Sequence, residues 1–404
     1  MKPKASPCSI NTKRVCINSP LRALWLRSEA FLSSLPPPIE SQARELLEFF
    51  KPHGAKVYAV GGSVRDFHLR RPLKDLDLEI HQITPALFES LMERLGAKGV
   101  GKSFFVYKWQ EIDLSLPRLE TKTALGHRGF EVKLASSPKE AAKRRDFTIN
   151  ALMLELESGE LFDFFGGMDD LKRRRLHIIS PQTFQEDSLR VLRAARFASE
   201  LGFRIAPEDI PLMRSIEVDD LSKERIYHET KRLLEGAHLP RGVQALQLLA
   251  LDQKIFHHPL TPALFHQFLK LQRRFRPRTL THEYAFLLPL YLLWIIRFAP
   301  LAHLLESLSA MPKKEQRFLQ KQRRFPKIIR DSFLVRLSLL YPLKEWLALH
   351  DPTLLQRAKN LGIFDQSFIP STTPSKLLKE GYQGKSLGKE WQRRAKEEIL
   401  TLFN

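Results

Sequence analysis

The sequence has few cysteines and no long apolar run. Only two of its 404 residues are cysteine, Cys8 and Cys16, which excludes a disulfide framework and a cysteine-rich zinc fold. The longest apolar run, residues 284–296, contains Pro289 and ends before Arg297. It is shorter than the ~18–20 residues that a membrane-spanning helix needs. We therefore expect no membrane partner and a reducing compartment, the cytoplasm.

Acidic residues are absent from residues 1–28, which contain six Lys and Arg residues. No apolar core follows the first lysines, so a secretory signal is not predicted. Residues 1–40 are rich in Ser and Pro and end in the prolines at 36–38. We predict a basic, disordered N-terminal arm over 1–40, while an organellar transit peptide and a start codon placed too early stay open as alternatives.

The excess of positive charge is uneven. The chain has a formal net charge of +20, and residues 253–404 hold 26 Lys and Arg against 11 Asp and Glu, which is +15 of that total. Basic clusters within 273–278 and 321–325 include phenylalanines. Basic residues mixed with aromatic ones suit a nucleic acid, whose phosphates they neutralise and whose bases can stack. Solvated helix faces are the alternative, and the pI of about 9.9 favours the nucleic-acid interpretation.

The hydrophobic pattern changes along the chain. Up to about residue 180, short strands such as 56–60 and the alternating stretch 75–80 are interspersed with helices such as 85–95. Beyond it the pattern is helical, for example over 185–201 and 223–234. The sequence therefore predicts an α+β protein with a small mixed head followed by a long all-α remainder.

Two aspartates stand two residues apart in the alternating stretch. Asp75 and Asp77 therefore lie on the same face of the predicted strand, and Asp113 or Glu111, in a predicted hairpin, could add a third carboxylate. Carboxylates are ligands for Mg²⁺, and a pair of such ions suits in-line nucleotidyl transfer. A solvated strand edge is the common alternative for this pattern.

A glycine pair precedes these aspartates. Gly61 and Gly62 end the predicted strand over 56–60, and Ser63 opens a helix. Glycines at such a turn let backbone N–H groups approach a phosphate, and the helix N-terminus favours its charge. A simple turn is the alternative, but Asp75, 13 residues after Gly62, makes a phosphate-binding turn the better hypothesis.

At these residues the sequence resembles the class II tRNA nucleotidyltransferase and bacterial poly(A) polymerase family. Five motifs follow in family order over about residues 55–240. They are GGSVRD at 61–66 together with DLDLE at 75–79, RRDFTINAL at 144–152, FDFFGGMDDL at 162–171, EDSLRVLRAARFA at 186–198 and KERIYHETKRLL at 223–234.

The resemblance implies an architecture and a set of site residues. The fold would be a polymerase beta-like nucleotidyltransferase head over 41–180, a helical neck over 181–245 and a basic, RNA-binding body and tail over 246–404. Asp75 and Asp77 would bind Mg²⁺, with Asp113 as the third catalytic carboxylate. The implied nucleotide-binding residues are Gly61, Gly62, Arg65, Arg144, Asp146, Asn150, Asp187, Arg190, Arg193 and Arg196.

The chemistry of Asp187 and Arg190 suits the reading of a nucleobase. On the predicted helix the two residues are three apart and share a face. A carboxylate accepts from an exocyclic amine and a guanidinium donates to a ring nitrogen, a pattern that cytosine and adenine satisfy and that guanine and uracil invert. An ion pair on a solvated helix face is the alternative.

We therefore expect an enzyme that adds C and/or A residues to the 3′ end of tRNA from CTP and ATP, without a template and with release of pyrophosphate. A poly(A) polymerase of the same fold is the closest alternative. An inactive RNA-binding descendant is an alternative of a different class, and the intact Asp75 and Asp77 argue against it. The oligomeric state is left open.

Overall fold

The protein is described by a computed structural model covering residues 27–101, 105–122, 130–274, 286–322, 329–339, 342–347, 349 and 352–403. The chain forms two compact units, Met1–Asp187 and Ser188–Asn404. Over the described ranges, no helix has the length and apolarity required to span a bilayer.

The N-terminal unit is built on a seven-stranded sheet with the strand order β3-β4-β5-β2-β1-β8-β9. The pairing of β2 with β5 is parallel, and the other pairings within this sheet are antiparallel. Strands β6 and β7 form a separate two-stranded sheet. The strands of this unit are β1 Lys56–Val60, β2 Leu76–His81, β3 Lys98–Gly101, β4 Val106–Trp109, β5 Ile112–Ser115, β6 Arg118–Lys122, β7 Phe130–Leu134, β8 Met153–Glu155, β9 Leu161–Phe162 and β10 Arg175–Leu176.

After a helical segment over residues 27–32, the described part of this unit contains the α-helices α1 Pro37–Phe50, α2 Gly62–His68, α3 Pro85–Leu95, α4 Pro138–Lys143, α5 Gly167–Arg173 and α6 Pro181–Gln185. Local signals explain the bounds of α3. The Thr84 hydroxyl accepts from the Leu87 N–H at its start, and Gly96, in the left-handed conformation, ends it. The α3 bounds agree with the predicted helix.

The alternation of β2 separates a core face from a polar face. Leu76, Leu78 and Ile80 are buried on one side. The other side carries Asp77 and Glu79, as expected of a period-2 strand. The polar face is the one that concerns function.

Residues 27–36, before α1, pack against the head. Residues 27–32 are helical, Phe31 and Leu32 are buried, and the Ser28 hydroxyl donates to the carbonyl of Leu156. These contacts bury apolar side chains against the head, so the disordered arm predicted over 1–40 is wrong from residue 27 onward. Residues 1–26 lie outside the described residues.

Among its described residues, the second unit has one short strand, β11 Arg204–Ile205, and its other regular elements are helices. The α-helices in its described ranges are α7 Leu189–Leu201, α8 Ile210–Ser215, α9 Lys223–Glu235, α10 Leu239–Leu248, α11 Leu251–Phe256, α12 Pro262–Arg274, α13 Leu287–Ile295, α14 Leu301–Ser307, α15 Lys313–Lys321, α16 Asp331–Ser338, α17 Leu343–Trp346, α18 Pro352–Asn360, α19 Pro374–Lys379 and α20 Gly384–Phe403. The α+β fold predicted from the sequence is confirmed.

Close packing between helices marks the start of this unit. A Cβ on Gly242 would lie 2.5 Å from the Cβ of Ser199, so α10 can approach α7 only with glycine at this position. The helix predicted over 185–201 is wrong at its start, since α6 ends at Gln185 and α7 begins at Leu189. Further along, the basic residues Arg276, Arg278, Arg323 and Arg324 lie outside the described residues.

Candidate nucleotide-binding and catalytic site

The carboxylates of the predicted metal site meet on the polar face of the head sheet. The parallel pairing of β2 with β5 makes Asp77 and Asp113 direct neighbours across the two strands. Glu111 lies in the turn between β4 and β5, where its N–H contacts the side chain of Gln42. The register therefore brings Asp113, and not Glu111, beside Asp77.

The environment of Asp77 combines solvent access with nearby charge. Asp77 and Asp75 are exposed, and the Asp113 carboxylate lies 3.4 Å from the Lys108 ammonium. Although Asp77 is accessible, the protein atoms around its carboxyl displace part of its hydration and so raise its pKa, Arg145 opposes this rise, and Asp113 and Asp75 add to it. A cation at this place would relieve the repulsion between the carboxylates.

The donor set suits Mg²⁺ better than a metal held only by protein. Within the described ranges no group of three or more His, Cys, Asp or Glu residues could hold a metal ion. Mg²⁺ usually takes one or two carboxylates and keeps water or substrate phosphate at its other positions. Asp77 and Asp113, adjacent and open to solvent, fit this arrangement.

The glycine turn lies at the end of β1, next to these carboxylates. Gly61 has a φ of +70°, which favours glycine, and a Cβ there would lie 2.7 Å from Nη1 of Arg145. Gly62 is the first residue of α2, and the Ser63 hydroxyl donates to the Val60 carbonyl. The absence of a side chain at Gly61 thus leaves the space beside the turn that the Arg145 guanidinium occupies.

A hydrogen-bonded network joins α2 to the segment after α4. The Arg65 guanidinium is buried and donates to Asn150 Oδ1 at 2.6 Å and to both oxygens of Asp66 at 2.9–3.0 Å. The Asn150 amide donates in turn to Asp146 Oδ1, at 2.8 Å. Arg65, Asp146 and Asn150 are therefore brought together, and their polar atoms fix the first two motifs to each other.

Two arginines of the second motif converge on Glu79, which was not among the site residues predicted from the sequence. Oε1 of Glu79 accepts from Nη2 of Arg145 at 2.9 Å and from Nη2 of Arg144 at 3.2 Å. Burial opposes the ionisation of Glu79, but Arg145, His81 and Arg144 hold its pKa well below the usual range. The signal for Glu79 was its place two residues after Asp77, although that spacing equally suits an exposed strand residue.

The residues predicted to read the base lie at the start of α7. Asp187 precedes Ser188, the N-cap residue of α7, and Arg190 lies in the first turn of the helix. Asp187 is therefore outside the helix, and the shared helix face predicted for the pair is wrong. Arg193, one turn further, has its guanidinium carbon 5.3 Å from the ring centre of Phe197.

Arg196 has a structural environment. Only 2% of it is exposed, its Nε donates to Glu229 at 2.6 Å and its Nη1 donates to Glu200 at 2.9 Å. Its guanidinium also lies 4.0 Å from the ring centre of Phe197. The prediction that Arg196 binds nucleotide is therefore corrected: its side chain ties α7 to α9.

Comparison with known proteins agrees with these features. Residues 57–177 match the poly(A) polymerase head domain family. The multifunctional CCA protein of Nitrosococcus oceani is 40% identical over 209 residues, which are 50% of each chain. The chain thus spans about half the length of the curated relatives it matches.

Solved structures resemble the chain over more of its length. A Bacillus stearothermophilus CCA-adding enzyme in complex with CTP gives a TM-score of 0.62 at 22% identity, covering 91% of this chain and 94% of that one. A Thermotoga maritima CCA-adding enzyme complexed with tRNA gives 0.61 at 20% identity, covering 93% and 98%. At this identity the likeness shows the fold alone. Over residues 57–177 the chain is therefore similar to poly(A) polymerase head domains, and the resemblance to the tRNA nucleotidyltransferase and poly(A) polymerase family predicted from the sequence is confirmed.

Proposed function

We propose that this protein adds C and A residues to the 3′ ends of tRNA from CTP and ATP, without a template and with release of pyrophosphate. The observation that carries the proposal is the register of β2 and β5, which puts Asp77 beside Asp113 next to the glycine turn at Gly61. The name of the curated relatives, multifunctional CCA protein, supports the same reaction.

The head supplies the residues for chemistry. Asp77 and Asp113 would hold Mg²⁺, with Asp75 adding negative charge beside them, and the ion would supply activation of the attacking 3′-hydroxyl and stabilisation of the leaving pyrophosphate. The Gly61 N–H donates to the Leu152 carbonyl, so the N–H groups at the start of α2, from Gly62 onward, are those that would face the phosphates of the nucleotide. Arg145, whose Nη1 lies over this turn, adds positive charge where the triphosphate carries its negative charge.

The second motif orients the sugar. Asp146 and Asn150 are fixed by their mutual hydrogen bond and by Arg65, so their side chains hold one arrangement before substrate arrives. Preorganised polar groups bind a ligand with little further loss of conformational entropy. We assign the ribose of CTP or ATP to this network.

Asp187 and Arg190 select the base in this proposal. Cytosine and adenine each place an exocyclic amine next to an unprotonated ring nitrogen, which a carboxylate and a guanidinium satisfy together. Guanine and uracil present the opposite order, so each would face an acceptor with an acceptor. No template strand is required for this choice.

The basic C-terminal region binds the tRNA. Residues 253–404 carry +15 of the net charge, and such charge binds the phosphate backbone with little dependence on base sequence. The basic residues Arg330, Arg336 and Lys396 are exposed around a cavity of about 340 Å³ next to Phe333. They provide positive charge for the backbone of the bound RNA.

The test is an extension assay on tRNA that lacks its CCA end, with each nucleotide alone and in mixtures, resolved on a sequencing gel. The proposal expects addition of two C residues from CTP alone and of the full end from CTP with ATP. Long runs of A from ATP alone would assign the protein to poly(A) polymerases, and no incorporation would assign it to RNA binding.

Asp77→Ala is the variant that ties the reaction to the site. It should abolish nucleotide addition while leaving tRNA affinity intact, because the carboxylate serves chemistry and repels phosphate. Glu93→Ala, which removes an exposed carboxylate on α3 of the same unit outside the motifs, is the matched control and should retain addition. Near-normal incorporation by the Asp77 variant with Mg²⁺ would contradict the assignment.

A further inference from the structure

A row of acidic side chains continues past the catalytic aspartates. Because successive odd positions of β2 share a face, Glu79 follows Asp77 on the polar side of the strand. Asp77 is exposed, whereas Glu79 is 1% exposed. A carboxylate buried to this extent needs compensating positive charge, so the residues that pair with Glu79 indicate its role.

The partners of Glu79 come from the second motif. One oxygen, Oε1, accepts from Nη2 of both Arg144 and Arg145. The other oxygen lies 3.5 Å from Nε2 of His81. Glu79 therefore fixes the ends of two long and otherwise flexible side chains at one point on the polar face of β2.

Arg145 has one end held and the other end available. Its Nη2 donates to Glu79, while Nη1 lies against the turn, 2.7 Å from where a Cβ on Gly61 would be. No acceptor for Nη1 exists within the described ranges of the chain. A guanidinium fixed through one nitrogen, with the other aimed at a glycine turn, is arranged to donate to an oxyanion there.

We infer that Glu79 is a positioning residue that holds Arg145 at the Gly61 turn, so that its free Nη1 donates to a phosphate oxygen of the incoming nucleotide. The inference rests on the proposed function for the identity of that ligand, a nucleoside triphosphate. Glu79 itself touches no substrate. It acts through Arg145, and its loss changes the geometry of the phosphate contact.

The chain offers a matched control for Glu79. Glu155 on β8 is 4% exposed, and its carboxylate lies 3.2 Å from the Lys56 ammonium. Both glutamates flank Tyr58, since Tyr58 pairs with Glu79 on one side of β1 and with Glu155 on the other. The two residues thus share burial, sheet and charge pairing, but only Glu79 contacts an arginine of the second motif.

The test measures equilibrium binding of CTP and of ATP to the full-length protein without RNA, beside the thermal midpoint of each variant. Glu79→Gln and Glu155→Gln should both lower the midpoint, because each leaves a cation without its partner. Only Glu79→Gln should raise Kd for both nucleotides, by about tenfold or more, the value of a charge-assisted hydrogen bond. A Kd for Glu79→Gln within about twofold of that for Glu155→Gln would overturn the inference.

A double-mutant cycle separates positioning from a direct contact. If Glu79 acts through Arg145, the Glu79→Gln/Arg145→Gln protein should bind nucleotide as Arg145→Gln does alone. Additive losses in Kd would overturn the inference. If Glu79→Gln does not fold, Glu79→Asp keeps the charge and withdraws it from Nη2 of Arg145, and an unchanged Kd for that variant would equally overturn it.

The nucleotide-addition assay tells this inference apart from the proposed function. Wild-type protein that binds CTP and ATP yet adds nothing to tRNA would refute the function, while a Kd raised only through Glu79 and Arg145 would still support the positioning role. Normal addition together with unchanged binding in Glu79→Gln would refute the positioning role alone.

Discussion

Replacing Arg196 by methionine tests whether this arginine of the fourth motif serves the fold or the nucleotide. Methionine keeps the length of the side chain and removes its charge. In the structure the guanidinium is 2% exposed and donates to Glu229 at 2.6 Å and to Glu200 at 2.9 Å. The variant therefore leaves the Glu229 carboxylate, which is largely buried, without its partner.

The expected cost follows from that loss. Removing one partner of a buried ion pair typically costs about 3–5 kcal/mol of unfolding free energy, because the remaining charge stays desolvated. For a unit of this size each kcal/mol lowers the midpoint of thermal unfolding by about 2–4 °C, so a fall of roughly 6–20 °C is expected. At 20 °C the folded variant should bind CTP and ATP as the wild type does.

A matched variant on the same partner calibrates the result. Arg232 also pairs with Glu200, at 3.1 Å, but its side chain is 56% exposed, so Arg232→Met should cost less than about 1 kcal/mol. Adding Glu229→Gln to Arg196→Met should restore part of the stability, since no unpaired charge would then remain. Calorimetry or circular dichroism measures all four proteins. A midpoint for Arg196→Met equal to that of Arg232→Met, with weakened nucleotide binding, would refute the structural role.

Three further predictions concern the site. Gly61→Ala should raise KM for CTP and ATP and should lower the unfolding midpoint more than Gly96→Ala does. Both glycines have positive φ, but only at Gly61 would a Cβ meet Arg145, so equal effects of the two variants would contradict this. Asp187→Ala should lower kcat/KM for CTP and ATP by about ten- to a hundredfold while changing that for UTP little, and an unchanged CTP/UTP ratio would make Asp187 irrelevant to base choice. Because the pKa of Asp77 is raised, its carboxylate takes up a proton at a higher pH than a free aspartate does, and Mg²⁺ affinity measured by calorimetric titration should fall at that higher pH as the solution is acidified. Arg145→Gln removes a charge that lowers this pKa, so the loss of Mg²⁺ affinity should move to still higher pH. A shift to lower pH would contradict the assignment.

Local elements of the fold were predictable where their signals are local. Helix α3 agrees with its prediction because Thr84 and Gly96 cap its two ends within the sequence itself. Strand β1 ends at Val60 as predicted, because Gly61 and Gly62 follow it directly in the sequence. The prediction of disorder was wrong for residues 27–40 because their structure depends on the burial of Phe31 and Leu32 against the head, which composition does not reveal.

For the candidate site, too, some features follow from the sequence and others depend on the tertiary structure. The sequence alone determined which residue types carry the chemistry: Asp75 and Asp77 on one strand face and the glycine pair before them follow from spacing, since a period of two places alternate residues together. Only the tertiary structure decided that Asp113 and not Glu111 stands beside Asp77, because that choice depends on the register between β2 and β5.

Burial was decided by tertiary structure as well. Asp77 and Glu79 lie on the same face of β2 and carry the same charge. Asp77 is open to solvent, whereas Glu79 is covered by two arginines that are more than sixty residues away in the chain. Arg190 and Arg196 likewise belong to one helix, but Arg196 is enclosed by Glu229 of α9. A periodic pattern determines which side chains share a face, whereas what packs against that face depends on segments distant in sequence, and their approach sets whether a charge binds a ligand or holds the fold together.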